Sequence, residues 1–390
     1  MRLRESLPAL GLLVPLLGCG AAPSGPQRPN VLLITVDTLR QDHLGCYGYE
    51  RPTSPHLDAL AKSAVVFEDA QVQAPWTLPS LASLMTGLET TAHGCRSFHD
   101  ALAPSYETLA ERLFAAGYDT AAVASHVFLG RDYGLDQGFV HFDDELVLEM
   151  TRSDEVISSP KITQKGLDFL AAQAGARDAG SSRPWMLWLH YFDPHAEYLR
   201  HQGISGQFGT QRPVDLYDGE IAFTDRWIGR LLDGLATHGF EQDTIVVFTA
   251  DHGEEFGDHG RVDHGHTLYR ELLDVPLIVR VPGGTPRRVA TMVRSIDLAN
   301  TLLELTELPP LREGHGVSLV PLLEGRLLDV PASLAELERD AALSATAWVE
   351  SDRKAIDRRH SGEQLGFDRR ADPTEQRPLH GDAVLDAPLA

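Results

Sequence analysis

The stretch that decides the fold is "NVLLITVDTLRQDHLGCYGY", Asn30 to Tyr49. An apolar, β-branched run at 31–36 changes at Asp37 into a polar loop with glycines. A short apolar run bounded by turn residues is typical of a buried strand in a parallel sheet. Ligands bind at the carboxyl ends of such strands, where the backbone opens into a crevice. Asp37 is therefore a candidate site residue that needs partners from elsewhere in the chain.

Similar apolar runs alternate with helical patterns along the chain. This alternation predicts an α/β fold, with a mostly parallel central sheet and helices on both faces. The other strand-like runs are 120–125, 185–190, 245–250 and 275–281, and the helical patterns are 106–116, 217–236 and 294–305. Patterning weakens after Gly325, so we expect a large domain at 30–325 and a small C-terminal subdomain at 326–390.

The N-terminus carries a targeting pattern. Two arginines precede an apolar run at 7–17, which ends in Leu16-Leu17-Gly18-Cys19. The pattern resembles a bacterial lipoprotein signal peptide over 1–18, which leaves Cys19 as a lipid-modified first residue of a tether at 19–29. An ordinary cleaved secretory signal is the alternative. We expect a protein of the bacterial cell envelope, held to a membrane through the lipid and facing the periplasm or the exterior.

Composition limits the partners. The 390 residues carry a net charge of −22, which argues against nucleic acid and against general affinity for an anionic membrane surface. An anionic substrate would need local attraction, for example from a bound cation. Cys46 and Cys95 could pair or stay free in an exported protein.

The densest cluster of ionisable residues is "TIVVFTADHGEEFGDHGRVDHGHTLY", Thr244 to Tyr269. A β-branched strand again ends in an acid, Asp251, followed by His252 and then by His259, His264 and His266. Aspartate and histidine suit Mg, Mn, Ca or Zn, and this pair could join Asp37 from another strand end. Any single histidine here could instead be a solvated loop residue.

A candidate nucleophile lies in "APWTLPSLASLMTG", Ala74 to Gly87. Pro79 suits the first turn of a helix, which places Thr77 just outside the helix start. Free N–H groups there favour a bound anion, and a hydroxyl that also binds a metal can attack phosphorus or sulfur. The structural alternative is that Thr77 only caps the helix.

The segment "HYFDPHAEY", His190 to Tyr198, also follows an apolar run. His190 or His195 could donate to a substrate oxygen or protonate a leaving group, with Asp193 orienting His195. A satisfied loop histidine is the alternative.

Together these segments resemble the successive blocks of the sulfatase family, within the wider alkaline phosphatase superfamily. The resemblance covers about residues 29–325, and "GFDRRADPTEQ" at 366–376 is similar to a worn C-terminal segment of the family. It implies an alkaline phosphatase-like fold and one divalent metal ion (Ca, Mn, Zn or Mg) held by Asp37, Asp251 and His252, with Thr77 as a further ligand. It also implies imidazoles around the bound anion, for which the candidates are His195 and His264 in catalysis and His190 and His266 in substrate binding.

The nucleophile motif departs from the family pattern. Sulfatases read Cys or Ser, x, Pro, x, Arg, and the first residue becomes formylglycine, whereas this chain reads Thr77-Leu78-Pro79-Ser80-Leu81. No formylglycine is therefore expected. The family's adjacent aspartate pair is reduced to Val36-Asp37, which weakens a calcium-type oxygen cage and favours Mn, Zn or Mg.

The departure affects the chemistry. Formylglycine hydrate can expel sulfate by collapsing to the aldehyde, which a sulfated threonine cannot do, whereas a phosphorylated threonine can be displaced in line. We therefore expect a metal-dependent hydrolase, or a phosphotransferase, that acts on sulfate or phosphate (di)esters through a metal-bound threonine nucleophile. The substrate would be a sulfated or phosphorylated glycan, lipid or small molecule. The alternatives are an inactive lipoprotein of this fold that binds an anionic glycan or lipid head group, and a two-metal phosphatase that also uses Asp258 and His259.

Overall fold

The computed structural model describes residues 28–151, 156–181, 183–340 and 343–379. The strands are β1 (Asn30–Val36), β2 (Val65–Phe67), β3 (Ala70–Gln71), β4 (Asp119–Val123), β5 (His141–Asp143), β6 (Trp185–Tyr191), β7 (Thr244–Ala250), β8 (Glu255–Phe256), β9 (Val262–Asp263), β10 (Leu277–Arg280), β11 (Arg287–Val289), β12 (Val293–Arg294), β13 (Ser333–Asp340), β14 (Leu343–Val349), β15 (Arg353–Arg358) and β16 (Glu363–Asp368). The α-helices are α1 (Pro55–Ala61), α2 (Thr77–Thr86), α3 (Thr90–His93), α4 (Leu109–Ala115), α5 (Glu145–Met150), α6 (Ser159–Asp178), α7 (Pro213–Thr237), α8 (Arg270–Leu273), α9 (Asp297–Leu305) and α10 (Val320–Leu323).

An eight-stranded sheet forms the centre of the molecule, in the order β11-β2-β10-β7-β1-β6-β4-β5. Strands β4, β6, β1 and β7 run parallel, whereas β10 is antiparallel to both β7 and β2. Helices α1, α6 and α7 form one packed group, and α2, α4 and α9 form another. The predicted α/β architecture is confirmed, and the run at 275–281 contributes its antiparallel strand.

The three central strands are buried along their whole length. This explains why their sequences are continuous apolar runs, since a strand covered on both faces has no solvent side. Full burial of each large apolar side chain contributes about 1.5–3 kcal/mol, and Trp185 and Trp188 are among the largest side chains that are fully buried. In register, Val36 lies opposite Tyr191 on one side and Ala250 on the other, so the strands end together.

Two helix starts differ from the sequence prediction for local reasons. The pattern at 106–116 begins as a helix only at Leu109, because Thr108 and Glu111 form a capping box that fixes the start there. In α2, Thr77 is the first helical residue and does not lie outside the helix, because the extended Trp76 takes the N-cap position. All ten residues of α2 are buried.

A small antiparallel sheet, in the order β13-β14-β15-β16, follows the main body in sequence. Glu336 on β13 accepts hydrogen bonds from the Thr90 hydroxyl and the Thr91 N–H at the start of α3. The buried ion pair Lys354–Glu375 adds a second tie, since Glu375 also accepts the N–H of Arg270. The domain limits at 30–325 and 326–390 stay predictions.

Several predictions concern cysteines and the N-terminus. Cys46 and Cys95 are both free thiols in the structure. The signal peptide, most of the tether and Cys19 lie outside the described residues. Within the described ranges, no helix combines the length and the apolar character needed to cross a membrane.

Asp225 on α7 connects two helices and predicts a pH-dependent stability. Its carboxylate accepts the N–H groups of His56 and Leu57 at the start of α1. Burial raises the pKa of Asp225 to about 7, although these two hydrogen bonds oppose the shift. The folded state therefore holds this proton more tightly than the unfolded chain. The resulting stabilisation is complete below pH ~4 and is lost as the pH rises towards 7.

We expect Asp225→Asn to reduce the fall in unfolding free energy between pH 4.5 and 7.5, because the variant cannot titrate at this position. Urea unfolding at several pH values measures the slope. The matched control is Asp233→Asn, which changes an exposed carboxyl on the same helix and should leave the slope unchanged. Equal slopes for Asp225→Asn and the unmodified chain would contradict the assignment.

Removing Lys354 should destabilise the attachment of the small sheet. Lys354→Met leaves Glu375 buried without its cation, which costs about 3–5 kcal/mol of unfolding free energy. The double variant Lys354→Met with Glu375→Gln should recover part of the loss, because glutamine is uncharged and still accepts the Arg270 N–H. Denaturant unfolding of both variants tests this, and a Lys354→Met chain as stable as the original would refute it.

Candidate active site

The sheet register brings two acidic residues together. Val36 at the end of β1 lies opposite Ala250 at the end of β7. Asp37 and Asp251 are the residues that directly follow them. Both carboxyl side chains are buried, with relative exposures of 0% and 1%. The prediction that the acids at two strand ends lie close together agrees with this geometry.

Three donor atoms converge at this edge of the sheet. His252 Nε2 lies 3.6 Å from Asp37 Oδ1 and 3.5 Å from Asp251 Oδ2. Both of these carboxylate oxygens are buried and have no hydrogen-bond partner in the structure. Three potential ligand atoms, one from each residue, all lie within 4.8 Å of one another. Buried polar atoms without partners are costly, so the arrangement leaves space and lone pairs for a cation.

The orientation of His252 is fixed by its own backbone. Its Nδ1 lies 2.9 Å from the carbonyl oxygen of Gly253, which holds the proton on Nδ1 and leaves the Nε2 lone pair free to bind a metal. The chain must pass close to a neighbouring segment here. A Cβ on residue 253 would lie 1.9 Å from the Glu271 carbonyl oxygen, so only glycine fits.

The electrostatics of the pair also fit a divalent cation. Burial raises the pKa of Asp37 to about 6, and burial together with the nearby Asp37 charge raises the pKa of Asp251 to about 8. Two carboxylates this close in an apolar environment repel each other when both are ionised. A bound divalent ion would balance both charges and use the unpartnered oxygens. Asp37, Asp251 and His252 therefore fit the metal that the sulfatase resemblance implies.

Thr77 lies beside this cluster and does not cap its helix. The N-cap position belongs to Trp76, and the Thr77 hydroxyl lies 3.4 Å from His252 Nε2. A second tie holds the helix in place, because the Ser80 hydroxyl donates a 2.5 Å hydrogen bond to the Asp251 carbonyl oxygen. The start of α2 is thus fixed relative to Asp251, with its first hydroxyl beside the His252 ring.

His264 supplies a positive charge next to the cluster. Its ring lies 4.6 Å from that of His252, and its Nδ1 lies 3.1 Å from Glu254 Oε1 and 2.9 Å from Asp263 Oδ1. Burial opposes the charged form, but the two carboxylates outweigh it and raise the pKa of His264 to about 10. This imidazole is therefore cationic at neutral pH.

His195 approaches from the loop after β6. Its ring stacks on Phe192 and lies 4.9 Å from the ring of His264. Burial lowers the pKa of His195, although the Asp37 charge opposes the shift. The prediction that Asp193 orients His195 is wrong. Asp193 accepts the N–H groups of Ser158 and Ser159 at the start of α6 instead.

His190 and His266, the two histidines predicted to bind substrate, both contact other groups of the protein. Both ring nitrogens of His190 are engaged, because Nδ1 lies 2.8 Å from the Thr35 hydroxyl and Nε2 lies 3.2 Å from Asp37 Oδ2. His190 thus contacts Asp37 Oδ2, whereas His252 lies near Asp37 Oδ1. His266 Nε2 lies 2.6 Å from Glu255 Oε2, and its Nδ1 lies 2.9 Å from the His264 carbonyl oxygen.

The sequence reasoning did not identify His126. This residue follows β4, its Nε2 lies 3.9 Å from Asp37 Oδ2, and its ring lies 5.6 Å from that of His195. The signal was available, because His126 follows an apolar run as Asp37 and Asp251 do. Glu254 was also missed. It holds His264 on one side and accepts a 2.9 Å hydrogen bond from the Tyr198 hydroxyl on the other.

The residues suggested for a second metal have other partners. Asp258 pairs with Arg40 at 2.9 Å, and His259 Nδ1 lies 2.5 Å from Glu271 Oε1. Leu81, at the position of the family's arginine, is fully buried in the apolar core. The cationic group identified next to His252 is the imidazole of His264.

Aromatic side chains pack around Trp76, the residue that precedes Thr77. The Trp76 ring makes edge contacts with Phe98 and Phe128, which stack on each other at a centroid distance of 5.3 Å. Arg339 of the small sheet lies over Phe98 at 4.3 Å and donates to the Gly265 carbonyl oxygen. The small sheet thus contributes to the surroundings of His264.

Curated proteins similar to this chain are sulfatases. An uncharacterized sulfatase from Escherichia coli is 25% identical and is matched over 91% of this chain and 84% of its own length. An arylsulfatase from Clostridium perfringens is also 25% identical, over 77% of this chain and 79% of its own. Human arylsulfatase A is 28% identical, over 79% of this chain and 70% of its own.

Solved structures with the same fold include a phosphonate monoester hydrolase of Agrobacterium radiobacter. It superposes with a TM-score of 0.76 at 21% identity and covers 91% of this chain and 92% of its own. The sulfatase family model matches residues 29–308, most of the chain and all of the metal-ligand and nucleophile candidates. With this match and the shared fold, the chain belongs to the sulfatase family, within the alkaline phosphatase superfamily.

Proposed function

We propose that this protein is a metal-dependent hydrolase or phosphotransferase whose Thr77 hydroxyl attacks the phosphorus of a phosphate mono- or diester. The observation that carries the proposal is the position of Thr77. Its hydroxyl is buried, leaves the helix cap to Trp76 and faces the Nε2 atom of His252 at 3.4 Å. A threonine kept only for structure would not need to face a ligand cluster of this kind.

The protein groups divide the work by their charge and position. The proposed ligands are Asp37, Asp251 and His252, with Thr77 as the fourth. The divalent ion, when bound, would lower the pKa of the hydroxyl and balance the charge that develops on the transferred group. The free N–H groups at the start of α2 face the same region and favour an anion there.

Proton handling falls to two imidazoles in different states. His264, with a pKa raised to about 10 against the cost of burial, carries the positive charge that holds an anionic oxygen. His195, whose pKa burial lowers, is neutral and can accept a proton from the nucleophile or the attacking water. Their rings are 4.9 Å apart, so both can reach one substrate group.

The nucleophile favours phosphorus over sulfur. When the Thr77 oxygen bonds to phosphorus, the bond from phosphorus to the ester oxygen breaks, and that oxygen takes a proton from the cationic His264 as it leaves. Water or an acceptor hydroxyl then attacks the phosphorus in line and displaces Thr77, which completes hydrolysis or transfer. The leaving group is a glycan, a lipid or a small molecule. Similar proteins with glycan substrates support the first choice. They include an ulvan-active sulfatase from Formosa agariphila, 26% identical, and a protein of the same fold that was solved in complex with its substrate D-glucosamine-2-N,6-O-disulfate.

Replacing the nucleophile should abolish turnover. We expect Thr77→Ala to lower kcat/KM on bis(4-nitrophenyl) phosphate and 4-nitrophenyl phosphate by at least about 1000-fold, because the reacting oxygen is removed. Rapid quenching of the unmodified enzyme during turnover of 4-nitrophenyl phosphate, followed by mass spectrometry, should show a phosphoryl group on Thr77. Assays on 4-nitrophenyl sulfate run beside these, and we expect the phosphate esters to react faster.

The matched control is Thr86→Ala at the other end of α2. That hydroxyl donates to the Ala82 carbonyl oxygen inside the helix, so its loss should leave kcat/KM within a few-fold. Full activity of Thr77→Ala would exclude the nucleophile assignment. Metal-bound, folded protein with no activity on any of the three esters would favour a binding lipoprotein.

Metal binding should depend on the strand-end cluster. We expect Asp251→Asn to weaken Mn²⁺ or Zn²⁺ binding by roughly 100-fold or more, because one charged ligand is lost. In the unmodified chain, the metal at 100 times its Kd should add about 2.7 kcal/mol to the unfolding free energy. Elemental analysis and titration calorimetry measure the first effect, and thermal unfolding measures the second.

The control for metal binding uses another group of potential ligands, away from Asp37 and Asp251. Glu255, His259 and Glu271 also bring potential ligand atoms within 4.8 Å of one another. His259→Gln should retain the metal and its stabilising effect. Loss of the metal in His259→Gln with retention in Asp251→Asn would place the ion at the wrong cluster for the proposed chemistry.

A further inference from the structure

A basic cavity lies at the amino ends of the central strands, opposite the catalytic edge. It has a volume of about 180 Å³. Asn30 at the start of β1 and Trp185 at the start of β6 line it, together with Arg28, Arg177 and Arg183. At ~30 Å³ per water molecule, the volume holds about six waters and has room for a phosphate group.

The three arginines are held in place without carboxylate partners in the described parts of the chain. Arg28 donates to the Ala116 carbonyl oxygen, and Arg183 donates to that of Gly117. Arg177 donates to the carbonyl oxygens at 238 and 239. Asp243 also lines the cavity, so three cations face one carboxylate. In a chain of net charge −22, this is a local reversal of sign.

The arginines leave donors free for a ligand. A guanidinium group carries five N–H donors, and each of these three uses only one or two of them on carbonyl oxygens. The remaining N–H groups suit the oxygens of a phosphate.

The path of the chain indicates where such a phosphate would come from. Arg28 lines the cavity and is the first described residue, nine positions after Cys19. An extended chain spans at most about 3.6 Å per residue, so a lipid on Cys19 keeps the cavity within roughly 30 Å of the membrane surface. The inference that follows rests on this proposed anchor. It does not depend on the proposed catalytic function.

We propose that this cavity binds the phosphate of an anionic phospholipid in the membrane that anchors the chain. The interaction turns the amino ends of the strands towards the bilayer and the Asp37–Asp251 edge away from it. β1 alone is seven residues long, so the catalytic edge stands about 20 Å further from the surface. The substrate is then an ester reached from the aqueous side, and not a head group of the anchoring leaflet.

The test uses the mature chain, residues 19–390, with Cys19→Ser so that no lipid contributes. Cosedimentation with vesicles of phosphatidylglycerol and phosphatidylcholine, or of phosphatidylcholine alone, measures binding. We expect binding only to the anionic vesicles. Each arginine near the surface contributes about 5-fold, so Arg177→Gln with Arg183→Gln should weaken partitioning by about 25-fold.

The matched control is Arg288→Gln with Arg326→Gln, which changes the net charge equally outside the cavity. It should bind as the unmodified chain does. Inorganic phosphate, added at constant ionic strength, should compete with the vesicles. The proposal is overturned if the two double variants lose binding equally, if phosphatidylcholine alone binds as well, or if Arg177→Gln with Arg183→Gln binds normally. A chain that binds in this assay but carries no lipid at Cys19 in cells would overturn the anchored orientation and leave the cavity assignment intact.

Discussion

Two buried carboxylates at the ends of neighbouring parallel strands are the constraint on which this structure depends. Asp37 and Asp251 each leave an oxygen without a hydrogen-bond partner, and burial raises the pKa of both. Such a pair is costly in an apolar environment unless protons or a cation balance it. The surrounding structure maintains the pair: the strand register aligns it, and Gly253 allows the chain to pass close to the Glu271 carbonyl oxygen.

The nucleophile candidate is placed by the same constraint. Ser80 ties helix α2 to the Asp251 carbonyl oxygen, so the Thr77 hydroxyl at the helix start cannot move independently of the carboxylates. The family's arginine is replaced by the buried Leu81, and the cationic group found here is His264. The carboxylates of Glu254 and Asp263 stabilise its charged form.

The carboxyl ends and the amino ends of the central strands have opposite charge. Carboxylates and imidazoles gather where β1 and β7 end, whereas three arginines gather where β1 and β6 begin. Under the proposed anchoring, this difference between the strand ends would orient the candidate site relative to the membrane. The overall charge of −22 hides this polarity, because composition averages over both ends.

The sequence by itself determined the strand ends and their acids, because a buried strand and the polar residue after it are local features. Asp37, Asp251 and His252 could be named in this way, and Thr77 could be named from the helix start that Pro79 marks. Only the tertiary structure decided which side chains surround them. His126 reaches Asp37 because β6 and β4 follow β1 in the sheet, and Asp193 turns to the start of α6, away from His195. Sheet order and helix docking depend on packing between distant segments, and that information is not contained in any single stretch of the chain.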